Sequence, residues 1–235
     1  MNIERKMKVI KNKTITGIIL LAGNSTRYGK NINKNFEKIN DKPVISYSID
    51  VFDKNQNIDD IILVVRKENI DTVKEIIAKE QITKPIKIVI GGSSRQESVY
   101  NSIKESASDI VVIHDGARPL IKDKFIRECM ENMDNYKGVT VGVKSKDTIK
   151  ITDDNQEVIS TTKRSNTWLI QTPQCFDRKI LLEIHNKYRD DNSATDDCML
   201  LEKENYKVKI IEGDYSNIKI TTSDDLDFIR CYLKK

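Results

Sequence analysis

Short apolar runs rich in β-branched residues alternate with amphipathic stretches along most of this chain, and no other feature narrows its fold as much. Residues 15–22 (ITGIILLA) are apolar throughout, as a parallel strand covered on both faces has to be. A polar loop follows over 23–34, then a helix from about Pro43 to Phe52 with the proline in its first turn. Residues 61–65 read as a second strand and 69–79 as a second helix. Further strands lie at 86–90 and 110–113, separated by a helix over 95–105. The expected fold is α/β and Rossmann-like, a twisted, mostly parallel sheet with helices on both faces. Ligands bind such sheets at the carboxyl ends of the strands.

The alternation breaks after about Thr140. Residues 146–162 are polar, β-branched and turn-rich, with Asp153-Asp154-Asn155 as a hairpin tip. They predict a β-arm over about 146–165 that projects from the sheet. Helices near 178–188 and 196–204, a strand over 208–211 and a terminal helix from about Asp224, capped by Thr222 or Ser223, complete the pattern. With 235 residues and no repeat or linker, the chain reads as one domain over 14–235 behind a basic extension, 1–13.

Composition excludes several functions. A formal charge of +4, from 40 basic and 36 acidic residues, is too small for a nucleic-acid binder. Cys129, Cys175, Cys198 and Cys231 are far apart and form no C-x-x-C. They indicate a reduced, cytoplasmic protein rather than a disulfide scaffold or zinc site. Two histidines, His114 and His185, leave little for a metal site or a Ser-His-Asp triad. The longest apolar stretch falls far short of the ~20 residues that cross a bilayer, so no membrane partner is expected. The basic leader lacks the apolar run of a signal peptide.

Three strand-end segments carry candidate chemistry. The first runs Leu21-Ala22-Gly23-Asn24-Ser25-Thr26-Arg27-Tyr28-Gly29-Lys30. It is no P-loop, because five residues separate its glycines and Asn31 follows Lys30. It is no dinucleotide fingerprint either, because Ser25 holds the place of the second glycine. Small residues at a strand end present backbone N–H groups, and Arg27 and Lys34 suit a triphosphate whose charge grows as phosphorus is attacked. The plainer alternative is a solvated basic loop. The second segment is Gly91-Gly92-Ser93-Ser94-Arg95-Gln96-Glu97-Ser98. Its paired glycines admit a ligand to the backbone and the helix N-terminus after it favours anions, unless it is only a capped turn. The third is His114-Asp115-Gly116-Ala117-Arg118-Pro119, where Asp115 is placed to hold Mg²⁺ or sugar hydroxyls, or simply to pair with Arg118. His114 reads as orienting the loop rather than as an acid–base group.

Further along stand Asp147-Thr148, Arg164, Gln171-Thr172-Pro173-Gln174, Thr195-Asp196 and Asn217-Ile218-Lys219-Ile220-Thr221. In order and spacing the whole set resembles the 2-C-methyl-D-erythritol 4-phosphate cytidylyltransferase family, with its relatives the ribitol-5-phosphate cytidylyltransferases, from about Ile15 to Leu233. The family's A-A-G-x-G-x-R-x-G and P-K-Q correspond to residues 21–29 and Asn33-Lys34-Asn35, and its G-G-x-x-R-x-x-S to 91–98. H-D-A-A-R-P corresponds to 114–119, D-T-[IM]-K to 147–150, Q-T-P-Q to 171–174, T-D to 195–196 and N-I-K-[IV]-T to 217–221.

The resemblance implies a fold of the nucleotide-diphospho-sugar transferase type and transfer of CMP from CTP to a polyol phosphate. It implies that Leu21, Ala22, Gly23, Ser25, Gly92, Ser93, Arg95, Ser98 and Gly116 bind CTP. Arg27 and Lys34 would stabilise the transition state, and Arg164 and Lys219 would hold the attacking phosphate. Asp115, Arg118, Thr148, Thr172 and Thr195 would contact the polyol phosphate. It also implies Mg²⁺ or another divalent cation, with Asp115 as a metal ligand, and a homodimer whose arm carries Arg164 into the partner's site. Two departures stand out. Ser25 replaces a glycine, and Asn33 and Asn35 flank Lys34 in place of proline and glutamine, which predicts a loosened loop. The His114 motif, residues 147–150 and Trp168 favour methylerythritol phosphate over ribitol 5-phosphate. A non-catalytic CTP-binding protein and an NAD-dependent oxidoreductase are the alternatives from other classes. The retained cations oppose the first and the broken fingerprint opposes the second.

Overall fold

A computed structural model of the chain describes residues 13–23, 34–191 and 193–234. In chain order its elements are β1 (Ile15–Leu20), β2 (Lys38–Ile39), β3 (Lys42–Pro43), α1 (Val44–Lys54), β4 (Asp60–Val65), α2 (Ile70–Lys79), β5 (Ile86–Ile90) and α3 (Arg95–Glu105). There follow β6 (Ile110–Asp115), α4 (Asp123–Glu131), β7 (Gly138–Lys144), β8 (Lys150–Thr152), β9 (Val158–Thr161), β10 (Trp168–Asp177), α5 (Arg178–Lys187), α6 (Asp197–Lys203), β11 (Val208–Glu212) and α7 (Ser223–Leu233). The main sheet has the order β11-β7-β10-β6-β1-β4-β5. All its pairings are parallel except those of β10, which runs antiparallel to β6 and β7.

Strand β1 shows why the sheet is covered twice. Ile15 and Ile19 enter an apolar layer with α1, α2 and α4, while Ile18 enters the opposite layer with α3, α5 and α6. A third, smaller cluster packs α7 through Leu226 and Ile229 against Ile39, Ala117 and Ile220. From β1 the chain builds β4 and β5 to one side, then returns to lay β6 on the other. The switch point therefore lies between β1 and β6, which is where an open α/β sheet offers its ligand crevice.

Several boundaries differ from the sequence reading. The first helix starts at Val44, because Pro43 is extended (ψ 143°) and serves as its N-cap. Thr222, not Ser223, caps α7, in a reciprocal box with Asp225. Helix α4 and strands β7 and β10 are additions to the pattern read from the sequence. For β7 and β10 the reason is chemical: glycines at 138 and 142 weaken the strand signal of β7, and Pro173 with two glutamines masks β10. Helix α4 did carry a helical signal, in Phe125, Ile126, Cys129 and Met130, all of which are buried.

Strands β8 and β9 form a separate antiparallel hairpin whose residues are exposed throughout. Its tip is tied by Asp153, whose carboxylate accepts the Asn155 and Glu157 N–H groups at 3.0 and 2.8 Å. Residues 1–12 of the basic extension lie outside the described residues. No helix among the described residues is long and apolar enough to cross a membrane.

Candidate active site

Two cavities open along the carboxyl edge of the sheet. One, of about 440 Å³, is lined by Ala22, Gly23, Lys34, Arg66, Gly92, Ser93 and Ser98 among others. The other, of about 510 Å³, is lined by Arg118, Gln171, Thr172, Gln174, Thr195 and the α6 face with Met199. Arg95, Asp115 and Lys219 line both, and so form their common wall.

The Asp115 carboxylate sits at that wall because it ends the buried strand β6. Lys219 Nζ lies 2.8 Å from it, Arg95 Nε 3.6 Å and Arg118 Nε 3.9 Å. Burial alone would raise its pKa, but the charges of Lys219, Arg95 and Arg118 hold it far below the usual carboxylate range. Lys219 reaches this point for a local reason. Ile220 is buried in the third cluster and its N–H donates to Ala117 O at 2.8 Å. Asn217 O accepts from Arg118 Nη1 at 2.8 Å. The segment is thus clamped beside the 115–118 turn.

His114 lies beneath this wall, fully buried. Its Nε2 faces the Arg118 carbonyl at 3.1 Å, an atom that only accepts, so Nε2 carries the proton. Nδ1 is then the acceptor for the Thr172 hydroxyl at 2.9 Å, and that hydroxyl in turn accepts the Asp115 N–H at 3.1 Å. Thr172 is delivered by a bulge in β10, between the Gln171–Val141 and Gln174–Thr140 pairs. Burial pushes the imidazole down to about 4, against the pull of Asp115. His114 is therefore a neutral, buried strut that orients the 115–118 turn and Thr172. Because the unfolded imidazole titrates near ~6.5, the unfolded chain binds more protons between about 4 and 6.5. Stability is expected to fall by about 3 kcal/mol as pH drops through that window. Denaturant unfolding should show a steeper loss of stability between about pH 5 and 6.5 in the wild type than in His114→Gln, because carboxylates such as Asp115 add their slope only below that range and in both proteins. Equal slopes in both proteins would refute the assignment.

The turn before α3 is more self-contained than the sequence suggested. The Gly92 N–H donates to Ser98 Oγ at 3.0 Å, and the Ser93 N–H and hydroxyl donate to Glu97 Oε2 at 2.6 and 2.7 Å. Ser94 caps the helix by accepting from the Glu97 N–H. The helix's positive end thus already faces a carboxylate. Gly91 is needed for close approach, since a Cβ there would lie 2.5 Å from that of Ala22.

Two residues expected to touch CTP line neither cavity. The Leu21 side chain is in the core; its N–H donates to Val64 O and its carbonyl accepts from Asn35 Nδ2 at 3.2 Å. Gly116 packs on Leu21, where a Cβ would meet Leu21 Cδ2 at 2.3 Å. Any contact of either residue with CTP would therefore be through backbone groups. Asn35, expected to loosen the loop, is buried and ties the Lys34 segment to the end of β1. Arg27, Ser25 and Asn33 lie outside the described residues. Thr148 and Arg164 are exposed on the arm, 3.5 Å apart, and line neither cavity. Asp115, expected as a metal ligand, is already paired with three cations and does not fit direct binding of a metal ion, and no group of three His, Cys, Asp or Glu side chains suited to a metal occurs among the described residues.

Sequence reasoning missed Arg66, which follows β4, lines the smaller cavity and donates from Nε to Ala22 O at 3.1 Å. Its position just past a strand's carboxyl end was the available signal. Gln174, which the sequence reading named in its motif without a role, reaches Thr140 Oγ1 and Asp196 Oδ2 through Nε2 at 3.0 and 2.8 Å.

Comparison with known proteins agrees with this fold. The family model described as 2-C-methyl-D-erythritol 4-phosphate cytidylyltransferase (IspD) matches residues 15–235. The enzyme of that name from Caldanaerobacter subterraneus subsp. tengcongensis is 42% identical over 225 residues, 94% of this chain and 99% of the relative. Its namesake from Alkaliphilus oremlandii is 44% identical over 213 residues, 89% of this chain and 90% of the relative. The crystal structure of 4-diphosphocytidyl-2C-methyl-D-erythritol synthase from Anaerococcus prevotii DSM 20548 matches with a TM-score of 0.85 and 35% identity, covering 95% of this chain and 99% of that one. By motif, fold and similarity over nearly its whole length, the chain belongs to the 2-C-methyl-D-erythritol 4-phosphate cytidylyltransferase family.

Proposed function

We propose that this chain transfers CMP from CTP to 2-C-methyl-D-erythritol 4-phosphate, in isoprenoid precursor synthesis. The observation that carries the reading is the common wall: two cavities, each sized for a small anion-bearing ligand, meet at Lys219, Arg95 and Asp115. The smaller takes CTP between Gly23, Lys34 and the Gly92–Ser98 turn. The larger takes the polyol phosphate, with Arg118, Thr172 and Thr195 around it. A phosphate oxygen of the polyol phosphate attacks the α-phosphorus of CTP, the bond to the β-phosphate oxygen breaks, and pyrophosphate leaves. The nucleophile is already an anion, so positioning and charge neutralisation suffice. That accounts for a wall of cations above a neutral His114. Magnesium would arrive held by the triphosphate of CTP, whose charge it would offset, which suits a protein whose one wall carboxylate is already paired.

The active form in this reading is a homodimer. The arm exposes Ile151 (51%), Val158 (60%) and Ile159 (66%), an apolar face that a second copy would cover. Thr148 and Arg164 on the same arm would then act in the partner's site. All four cysteines are free, which accords with a cytoplasmic enzyme. Ribitol 5-phosphate is not the favoured acceptor, since the relatives named above are methylerythritol phosphate enzymes. Pyrophosphate release with CTP and Mg²⁺, measured with each acceptor side by side, is expected to favour methylerythritol phosphate strongly. Release with neither, by folded protein that binds CTP, would overturn the proposal.

A further inference from the structure

A chain of charged contacts leaves the common wall and runs back into the protein. Arg95 Nη1 donates to Asp197 Oδ2 at 2.7 Å, and Asp197 Oδ1 lies 3.0 Å from His185 Nε2. The His185 and Asp197 side chains are 0% and 1% exposed, and neither residue lines either cavity of the site. The Asp197 carboxyl titrates at about 2, because Arg95 and His185 outweigh the opposing effect of its burial. It is thus ionised and accepts both bonds, so His185 Nε2 is the donor. The His185 ring stacks on Tyr100 at 6.4 Å and 22°. Since Arg95 and Tyr100 both belong to α3, the contacts close a ring through α3, α6 and α5.

A buried ion pair of this kind is a poor way to gain stability, because desolvation offsets most of the attraction. Here it carries a further cost, since His185 Nδ1 is buried with no hydrogen-bond partner among the described residues. What the arrangement does provide is direction. Asp197 takes one edge of the Arg95 guanidinium and leaves Nε facing Asp115, which in turn holds Lys219.

We infer that His185 and Asp197 are positioning residues that act through Arg95 and Asp115 to fix Lys219 at the meeting point of the two cavities. The inference rests on the functional reading above and adds to it two residues that touch no substrate. Removing the His185 donor lets Asp197 and Arg95 reorient, so Lys219 loses its fixed partner. A misplaced cation of this sort lowers turnover on the order of 10- to 100-fold.

The test is a double-mutant cycle. His185→Phe keeps the ring and removes the donor, whereas His185→Gln restores an N–H close to the same place. In the wild-type background His185→Phe and Asp197→Asn should each lower kcat by at least about tenfold, and His185→Gln should recover most of it. In a Lys219→Ala background His185→Phe should have almost no further effect. A purely structural fault would lower activity equally in both backgrounds, and that result would overturn the inference. So would a His185→Gln protein as impaired as His185→Phe. A second readout needs no turnover. The Arg95 Nε–Hε resonance, assigned by its loss in Arg95→Lys, should be sharp and shifted in wild type and His185→Gln but average towards free arginine in His185→Phe. If the wild type turned over neither acceptor, the functional reading would fall by itself. An Arg95 resonance unchanged in His185→Phe would overturn the positioning claim on its own terms.

Discussion

Replacing Lys219 with alanine is expected to lower kcat/KM on the order of 10²- to 10³-fold while the protein stays folded. The size follows from what the side chain does. Its Nζ stands at the wall shared by both cavities, where in the proposed reaction the attacking phosphate and the α-phosphate of CTP would approach one another. Two anions brought together there repel, and the repulsion is largest as the pentacoordinate phosphorus forms. A cation fixed in advance relieves it without reorganisation, which is worth about 3–4 kcal/mol by comparison with a lost oxyanion donor. The fold should tolerate the change for two reasons. The Lys219 side chain is 37% exposed, so little packing is lost. Asp115 keeps Arg95 and Arg118 within 4 Å, so its charge is not orphaned. Lys219→Arg keeps the charge but not its position, and should recover only part of the loss. Steady-state pyrophosphate release alongside thermal melting checks both halves. Wild-type kcat/KM in Lys219→Ala would remove Lys219 from the mechanism.

The second large effect is a recovery. Arg164→Ala should be nearly as inactive as Lys219→Ala if the arm completes a partner's site. Co-expressing the two variants, each with its own tag, makes half the dimers mixed. Every mixed dimer then holds one site with both cations and one with neither. About one quarter of all sites are intact, so the mixture should regain about one quarter of wild-type activity from two nearly dead proteins. The placement of Arg164 motivates the experiment. It is exposed on the hairpin beside Thr148 and lines neither cavity of its own protomer, although the resemblance assigns both residues to the substrate. Activity that stayed at the level of the separate variants would mean that Arg164 serves its own chain or none.

The sheet could be read directly from the sequence wherever a strand obeyed one rule at a time. The runs at 15–22 and 61–65 are apolar or nearly so throughout, which leaves parallel, doubly covered strands as the natural reading, and 86–90 alternates as an edge strand does. The arm was legible for the opposite reason, because its polar, turn-rich residues cannot sit in a core. Strand β10 was not legible. It carries Pro173 and site glutamines on a bulge, and function there overrides strand propensity.

The candidates for chemistry were also set by sequence: the order and spacing of the strand-end motifs already contain Lys34, Arg95, Asp115, Arg118, Thr172 and Lys219. Tertiary structure alone decided how they are used. It packed the Leu21 side chain into the core against Gly116, turned Asn35 into a tie, gave Asp115 three cations, placed Arg66 beside Ala22 and linked Arg95 to Asp197 and His185. Motif spacing reports which strand end a residue occupies, because backbone geometry along one strand is regular. It says nothing of which distant side chain shares its space. Lys219 and Asp115 are 104 residues apart in the chain and 2.8 Å apart in the fold. Only the packing of the segment around Ile220 against the turn after β6 creates that contact.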